Sequence, residues 1–162
     1  MAYSAGDYEA VHPNPAWSAK ADFIIAAYLG SEDGRNQWEQ IPCRRLGPDR
    51  FEVCCIPFFA ANICLGDIVQ TNSVFTIVKT LAPSGHVTFR IWLAGQDEPE
   101  RREILSHISR ISEHLEWSSH NLLAVSARDH DAVVETAACL QAIEDRFGAP
   151  YETGRLAFGL ES

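Results

Sequence analysis

A chain of 162 residues with 46% hydrophobic and 22% charged side chains has the composition of one ordinary globular domain. Its formal charge is −9, and no basic cluster exceeds the pairs Arg44-Arg45 and Arg101-Arg102. That argues against a nucleic-acid footprint, and no run approaches the length of apolar chain that a membrane span needs.

Residues 1–19 contain Tyr3, Tyr8, His12, Pro13, Pro15 and Trp17 without a period. They read as an extended N-terminal arm, partly ordered at best, whose aromatics are free to dock on the body or on a partner. The start has neither the basic region nor the apolar core of a secretory signal, so the cytoplasm is expected. The first strand is expected over Asp22 to Leu29, and residues 30–36 read as a loop. Strands follow over Gln37 to Leu46 and Arg50 to Cys55, joined by a Gly47-Pro48-Asp49 hairpin turn. Pro42 lacks an N–H, so it belongs at an edge or a bulge.

Ile56-Pro57-Phe58-Phe59 breaks the second of these strands and reads as a rigid apolar plug; an exposed aromatic lip is the alternative. Leu65-Gly66-Asp67 turns into a strand from Ile68, and Asn72-Ser73 turns into Val74 to Leu81. Ala82-Pro83-Ser84-Gly85 leads into His86 to Leu93. There the alternation is clear: Val87, Phe89, Ile91 and Leu93 share the core face. His86, Thr88, Arg90 and Trp92 share the other, expected to be exposed or to face a groove.

Asp97 caps a helix with Pro99 in its first turn, and Ile104, Leu105, Ile108, Ile111 and Leu115 recur at helical spacing. Asn121 to Ala127 reads as a buried strand. Asp129 or Asp131 caps a second helix striped by Val133, Ala137, Leu140, Ile143 and Phe147, ended by Gly148 and Pro150. Tyr151 to Phe158 is a last strand.

The fold class is α+β. A β-rich half over 20–95, a small antiparallel sheet or partial barrel, joins a ferredoxin-like β-α-β-α-β half over 96–162. Together these make a single domain after the arm.

Chemical motifs are sparse. Five cysteines (Cys43, Cys54, Cys55, Cys64 and Cys139) form no C-x-x-C pair and have apolar neighbours, so reduced core thiols are expected. No nucleophile elbow, phosphate-binding glycine loop or H-E-x-x-H occurs. His107, His114 and His120 are spaced by seven and six residues, and the first two fall two helical turns apart, too far to share one ion, so surface histidines and no metal are expected. No cofactor or catalytic residue is indicated.

What remains is a polar group of Arg50, Asp67, His86, Thr88 and Arg90, candidates for ligand or partner binding through charge-assisted bonds. The competing reading is that Asp67 bonds its own turn and the arginines are solvated.

Three segments carry a resemblance. They are Arg50 through Phe59 followed by Leu65-Gly66-Asp67-Ile68-Val69; Gly85-His86-Val87-Thr88-Phe89-Arg90; and Asn121-Leu122-Leu123-Ala124-Val125. With Tyr151-Glu152-Thr153-Gly154, they resemble a bacterial family known as domain of unknown function 4265, over roughly residues 20–160. Val87 stands where the family tends to have a small polar residue. The resemblance implies an architecture and no reaction.

Small size, acidic charge and the lack of a catalytic signature favour a cytoplasmic binding protein. Its most specific form is an immunity protein that neutralises a basic bacterial toxin by occlusion. The alternative is a small-molecule binder or an enzyme using Asp67, His86 and Arg90. A third is an accessory domain whose partner orders residues 1–19.

Overall fold

The computed structural model describes residues 4–153. The first sheet contains β1 (Tyr8–Ala10), β2 (Phe23–Glu32), β3 (Arg35–Arg45), β4 (Arg50–Val53), β5 (Ile68–Thr71) and β6 (Ile77–Ala82). Its order is β1-β3-β4-β5-β6, with β2 on the other flank of β3.

The stretch expected as a loop at 30–36 is instead the tip of a long hairpin. Asp33 and Gly34 take φ of 51° and 76°. Two such residues in succession make the turn that matches strand twist, and Asp-Gly is a favoured pair for it. Gly30, at φ 120°, lies where the β2–β3 register shifts after Tyr28. The Gly-Pro-Asp turn joins β3 to β4 as expected.

The sheet curls until Ala26 of β2 donates to the Phe75 carbonyl at 2.9 Å, making a partial barrel. Ile25, Ile41, Phe51, Val53 and Val69 fill it. Pro42 lies inside β3, opposite Ile24 of β2. Its carbonyl accepts from Cys54 on the side where β1 pairing has ended at Glu39 and β4 pairing starts at Cys43. The absent N–H therefore falls in a gap between two partners.

The second sheet contains β7 (Val87–Trp92), β8 (Leu115–Trp117), β9 (Leu122–Ala127) and β10 (Tyr151–Thr153). It is antiparallel throughout, in the order β10-β7-β9-β8. Helices α1 (Glu98–Ile111) and α2 (His130–Phe147) accompany it. Asp97 caps α1, accepting from Glu100 N; Asp129 caps α2, accepting from Ala132 N; Gly148 ends α2 at φ 72°.

One boundary needs correcting. Leu115 is not on α1, which stops at Ile111, because Ser112 turns extended and its hydroxyl donates to the Ser126 carbonyl at 2.9 Å. Leu115 instead opens β8, so the half has a strand more than the expected β-α-β-α-β. The sheet boundary also falls between β6 and β7, ahead of residue 95. Residues 154–158 of the expected last strand lie outside the described residues. Among the described residues, no helix is long and apolar enough to cross a membrane.

Val87, Phe89, Ile91 and Leu93 pack with Ile104, Ile108, Leu140 and Ile143 of the helices, as the alternation predicts. The other face is not exposed. Thr88 and Arg90 are buried, because this side of the sheet lies on the barrel. Ile56, Phe58, Leu65 and Ala124 form the joint, with Ala16 and Trp17 packed on it.

The N-terminal arm is also more tightly held than its composition suggests. β1 pairs in parallel with Gln37–Glu39 of β3, and the following residues cross toward the second sheet.

Candidate functional site

Two polar constellations dominate, and the arm takes part in both. The first is buried. His12 Nε2 lies 2.7 Å from Glu39 Oε2, and its Nδ1 lies 2.7 Å from Glu116 Oε1. A ring flanked by carboxylates on both nitrogens donates twice, so it is an imidazolium. All three side chains are almost completely buried.

Glu39 comes from β3 in the first sheet and Glu116 from β8 in the second. Two strands of different sheets and the arm therefore meet at one ring. The Ile-Pro-Phe-Phe segment wraps the cluster. Phe58, Phe59 and Ala60 donate backbone N–H groups to Glu39 at 2.7, 3.0 and 2.8 Å. Ile56 donates to Glu116, as does Ala16 at 3.2 Å. The Phe58 ring stacks on His12 at 4.0 Å and 8°. Arg90 reaches the same loop from β7, donating to the Pro57 carbonyl at 3.1 Å.

The charges decide the protonation states. Burial by itself lowers the His12 pKa, but the bonds to Glu116 and Glu39 outweigh it and raise the value above 6.5. Burial likewise raises Glu39, and its bonds to His12 and the loop amides outweigh that and bring it below 4.5. Ile-Pro-Phe-Phe is thus a plug at Phe58, which is 1% exposed, while Phe59 is 43% exposed. Its main work is in the backbone, which solvates two buried carboxylates.

The second constellation is an open cleft of about 450 Å³ between the end of α1 and the start of α2. Half-buried His86, Ser112 and His114, with the buried Ser126, form its floor. Arg110, Glu113, Arg128, Asp129, Asp131 and Glu135 form its exposed rim. His86 Nδ1 lies 2.9 Å from Ser126 Oγ. Burial, with the nearby His114, pushes the His86 pKa below 6.5, so its ring is neutral at physiological pH. Trp17 of the arm stands between the two histidines. Its indole N–H donates to His114 Nε2 at 3.3 Å, and its ring meets both imidazoles edge-on, with centroids at 5.8 and 6.3 Å.

The five residues singled out from sequence do not share one site. Arg50 is exposed at the start of β4. Asp67 is fully buried and accepts from Cys64 N at 2.9 Å and Ser84 N at 2.8 Å, so it braces two turns. Thr88 and Arg90 face the barrel. Only His86 reaches the cleft, held there through Ser84, whose hydroxyl accepts from His86 N at 3.1 Å. The expectation that Asp67, His86 and Arg90 line one groove is therefore corrected.

Sequence reasoning missed His12, Glu39 and Glu116. A signal existed for Glu39, because it shares strand parity with Ile41 and Cys43, both core residues. A carboxylate at that parity must find a partner.

Three of the buried cysteines are poor nucleophiles at neutral pH. Burial pushes Cys43 up to about 12 and Cys54 up to about 11, and Cys55 is raised well above 9. Among the described residues, no group of three or more His, Cys, Asp or Glu could hold a metal ion.

Fold and site together define an α+β protein in which an N-terminal strap fastens a curled sheet to a helix-covered one, beside a polar cleft. The chain belongs to the family described as Domain of unknown function (DUF4265), whose model matches residues 39–149. Glu39 opens the matched span, Glu116 lies within it, and His12 lies before it.

A solved structure described as "Novel crystal structure of a hypothetical protein from Neisseria gonorrhoeae" is similar with a TM-score of 0.68. Identity is 19%, over 83% of this chain and 95% of that one, which shows the fold alone. No curated protein matches the chain.

Proposed function

We propose that this is a small acidic binding protein of the bacterial cytoplasm and that a basic protein partner docks over the cleft. Its specific form is an immunity protein that occludes a toxin. One observation carries the reading. On a chain of net charge −9, four rim carboxylates (Glu113, Asp129, Asp131 and Glu135) outnumber two guanidiniums, around a floor of hydrogen-bonding hydroxyl and imidazole groups. That arrangement suits an incoming ammonium or guanidinium group and speeds encounter with a basic surface.

The second half takes a ferredoxin-like order in this reading. It runs strand-helix-strand-strand-helix-strand, with its two helices on the sheet face away from the barrel. The rim then stands at one end of that layer, open to a partner.

The test is co-expression with the product of a neighbouring gene. A complex is expected whose affinity falls as salt rises. Reversing Glu113→Lys and Asp131→Lys together should weaken it roughly ten-fold or more, mainly through slower association. Cells expressing that variant should lose protection. A protein that binds no neighbouring product and protects no cell, or reversal variants as tight as the parent, would count against the proposal.

A second reading rests on the neutral His86 beside the Ser126 hydroxyl, a base and a hydroxyl within bonding distance. It makes the cleft a small-molecule site. His86→Ala would then abolish ligand binding while leaving any protein affinity within a few-fold.

A further inference from the structure

We propose that His86 and His114 make the cleft a pH-dependent cation site: with both rings unprotonated it takes an ammonium or guanidinium group of the basic partner, and protonation of the rings on mild acidification releases that group. This rests on the cleft being the partner's binding site and adds how that site is regulated.

The charge on the lining sets the size of the effect. Glu113, Asp129, Asp131 and Glu135 stand against Arg110 and Arg128, so two negative charges are in excess. Two imidazoliums on the floor cancel that excess. Asp129 is already engaged, because it caps α2 and lies 3.5 Å from Arg128 Nε. Glu113, Asp131 and Glu135 are exposed and take part in no ion pair among the described residues. They are the groups left to attract a cation. The floor lies half-buried beneath them, where charges are screened less than on an open surface. A cleft of about 450 Å³ falls in the size range of small-ligand pockets, enough for the end of one side chain.

The hydrogen bonds of the floor suit unprotonated rings. The Trp17 indole only donates, so the His114 Nε2 that receives it offers a lone pair. A proton on that nitrogen ends the bond. An unprotonated His86 shares one hydrogen with Ser126 Oγ at 2.9 Å. A protonated His86 donates from both nitrogens and places a positive charge on the floor.

Every element packed on His86 bears on its titration. Asp67 faces it from the turn before β5, His114 from the residue before β8, and Asp129 from the cap of α2. Ser126 of β9 and Trp17 of the strap touch it without charge. Burial and His114 lower its pKa, Asp67 and Asp129 oppose them, and the value falls below 6.5. The ring is therefore free to charge only on the acid side of neutrality. His114 has Glu113 beside it in the chain, while Glu116, two residues on, is taken by His12. The two rings feel one another, so charging one hinders charging the other.

The experiment uses the full chain and Nα-acetylarginine amide, a probe whose guanidinium is its one charge. NMR follows the His86 and His114 rings as the probe is added at about pH 7.5 and about pH 5.0, on either side of the ordinary histidine range, at constant ionic strength. Binding is expected to be at least about five-fold weaker at the lower pH, a coupling of ordinary size. A His86→Gln, His114→Gln double variant should bind with the same affinity at both, within about two-fold, because its floor no longer titrates.

Equal affinity of the parent at the two pH values would overturn the inference and leave the cleft standing as a binding site. A double variant that keeps the parent's pH dependence would do the same. No binding at either pH sinks the cleft reading and the inference with it. Should the double variant fail to fold, the parent decides. Reciprocity then requires that saturating probe lower the pH at which the His86 ring titrates, and an unmoved midpoint would overturn the inference.

Discussion

Replacing His12 with alanine is expected to cost about 3–5 kcal/mol, because it leaves Glu39 and Glu116 buried in one site with no cation between them. For a chain of this size that is a fall in Tm of roughly 10 °C. The measurement is urea unfolding of parent and variant across pH.

The pH profile separates the ion cluster from simple loss of the ring stacked on Phe58. A raised His12 pKa stabilises fully below its unfolded value of 6.5, and that contribution is lost as pH rises through the folded value. A lowered Glu39 pKa stabilises fully above its unfolded value of 4.5, and that contribution is lost as pH falls through the folded value. The parent should therefore be most stable between about 4.5 and 6.5 and keep much of that stability somewhat above it. The gap between parent and variant should be widest in the same window. A gap that stays constant with pH would mean that only packing was lost.

The second large effect is expected at Arg90. Arg90→Met removes a buried cation that bonds the Pro57 carbonyl and lies near the Glu39 charge. Leaving that carbonyl without its donor and Glu39 without a second cation is expected to cost about 2–5 kcal/mol. Its exposed partner Glu152, at 3.7 Å, accounts for little of this.

The two sites share the 56–60 loop, so their effects should not add. A His12→Ala, Arg90→Met double variant is expected to cost about 1 kcal/mol or more less than the sum of the singles. Strict additivity in unfolding experiments would show that the loop does not couple them.

The parts of the fold legible in sequence were those set by local rules. Asp97 and Asp129 cap helices because a short carboxylate accepts from the first free N–H groups, a local device with a fixed spacing. The β7 alternation gave the right core face.

The same alternation misled on the other face. Period two says that Thr88 and Arg90 point together, but not what lies opposite, and a barrel lies there. Leu115 was misplaced because it continues the apolar spacing of α1 by chance, while the stop signal is a Ser112 bond to a strand that is distant in sequence.

The site was less legible for a related reason. His12, Glu39 and Glu116 are separated by 27 and 77 residues along the chain, and no local pattern links them. Asp67 was legible in both of its readings, and its bonds to Cys64 and Ser84 favour the structural one.

The central claim is that a charged imidazole sits between two carboxylates and joins the strap to both sheets. Nitrogen-detected NMR of the His12 ring tests it most directly. Both ring nitrogens are expected to carry protons at neutral pH, with slow exchange and couplings to Glu39 and Glu116. A His12 ring that is neutral there, or that titrates near 6.5 like a free imidazole, would contradict the account.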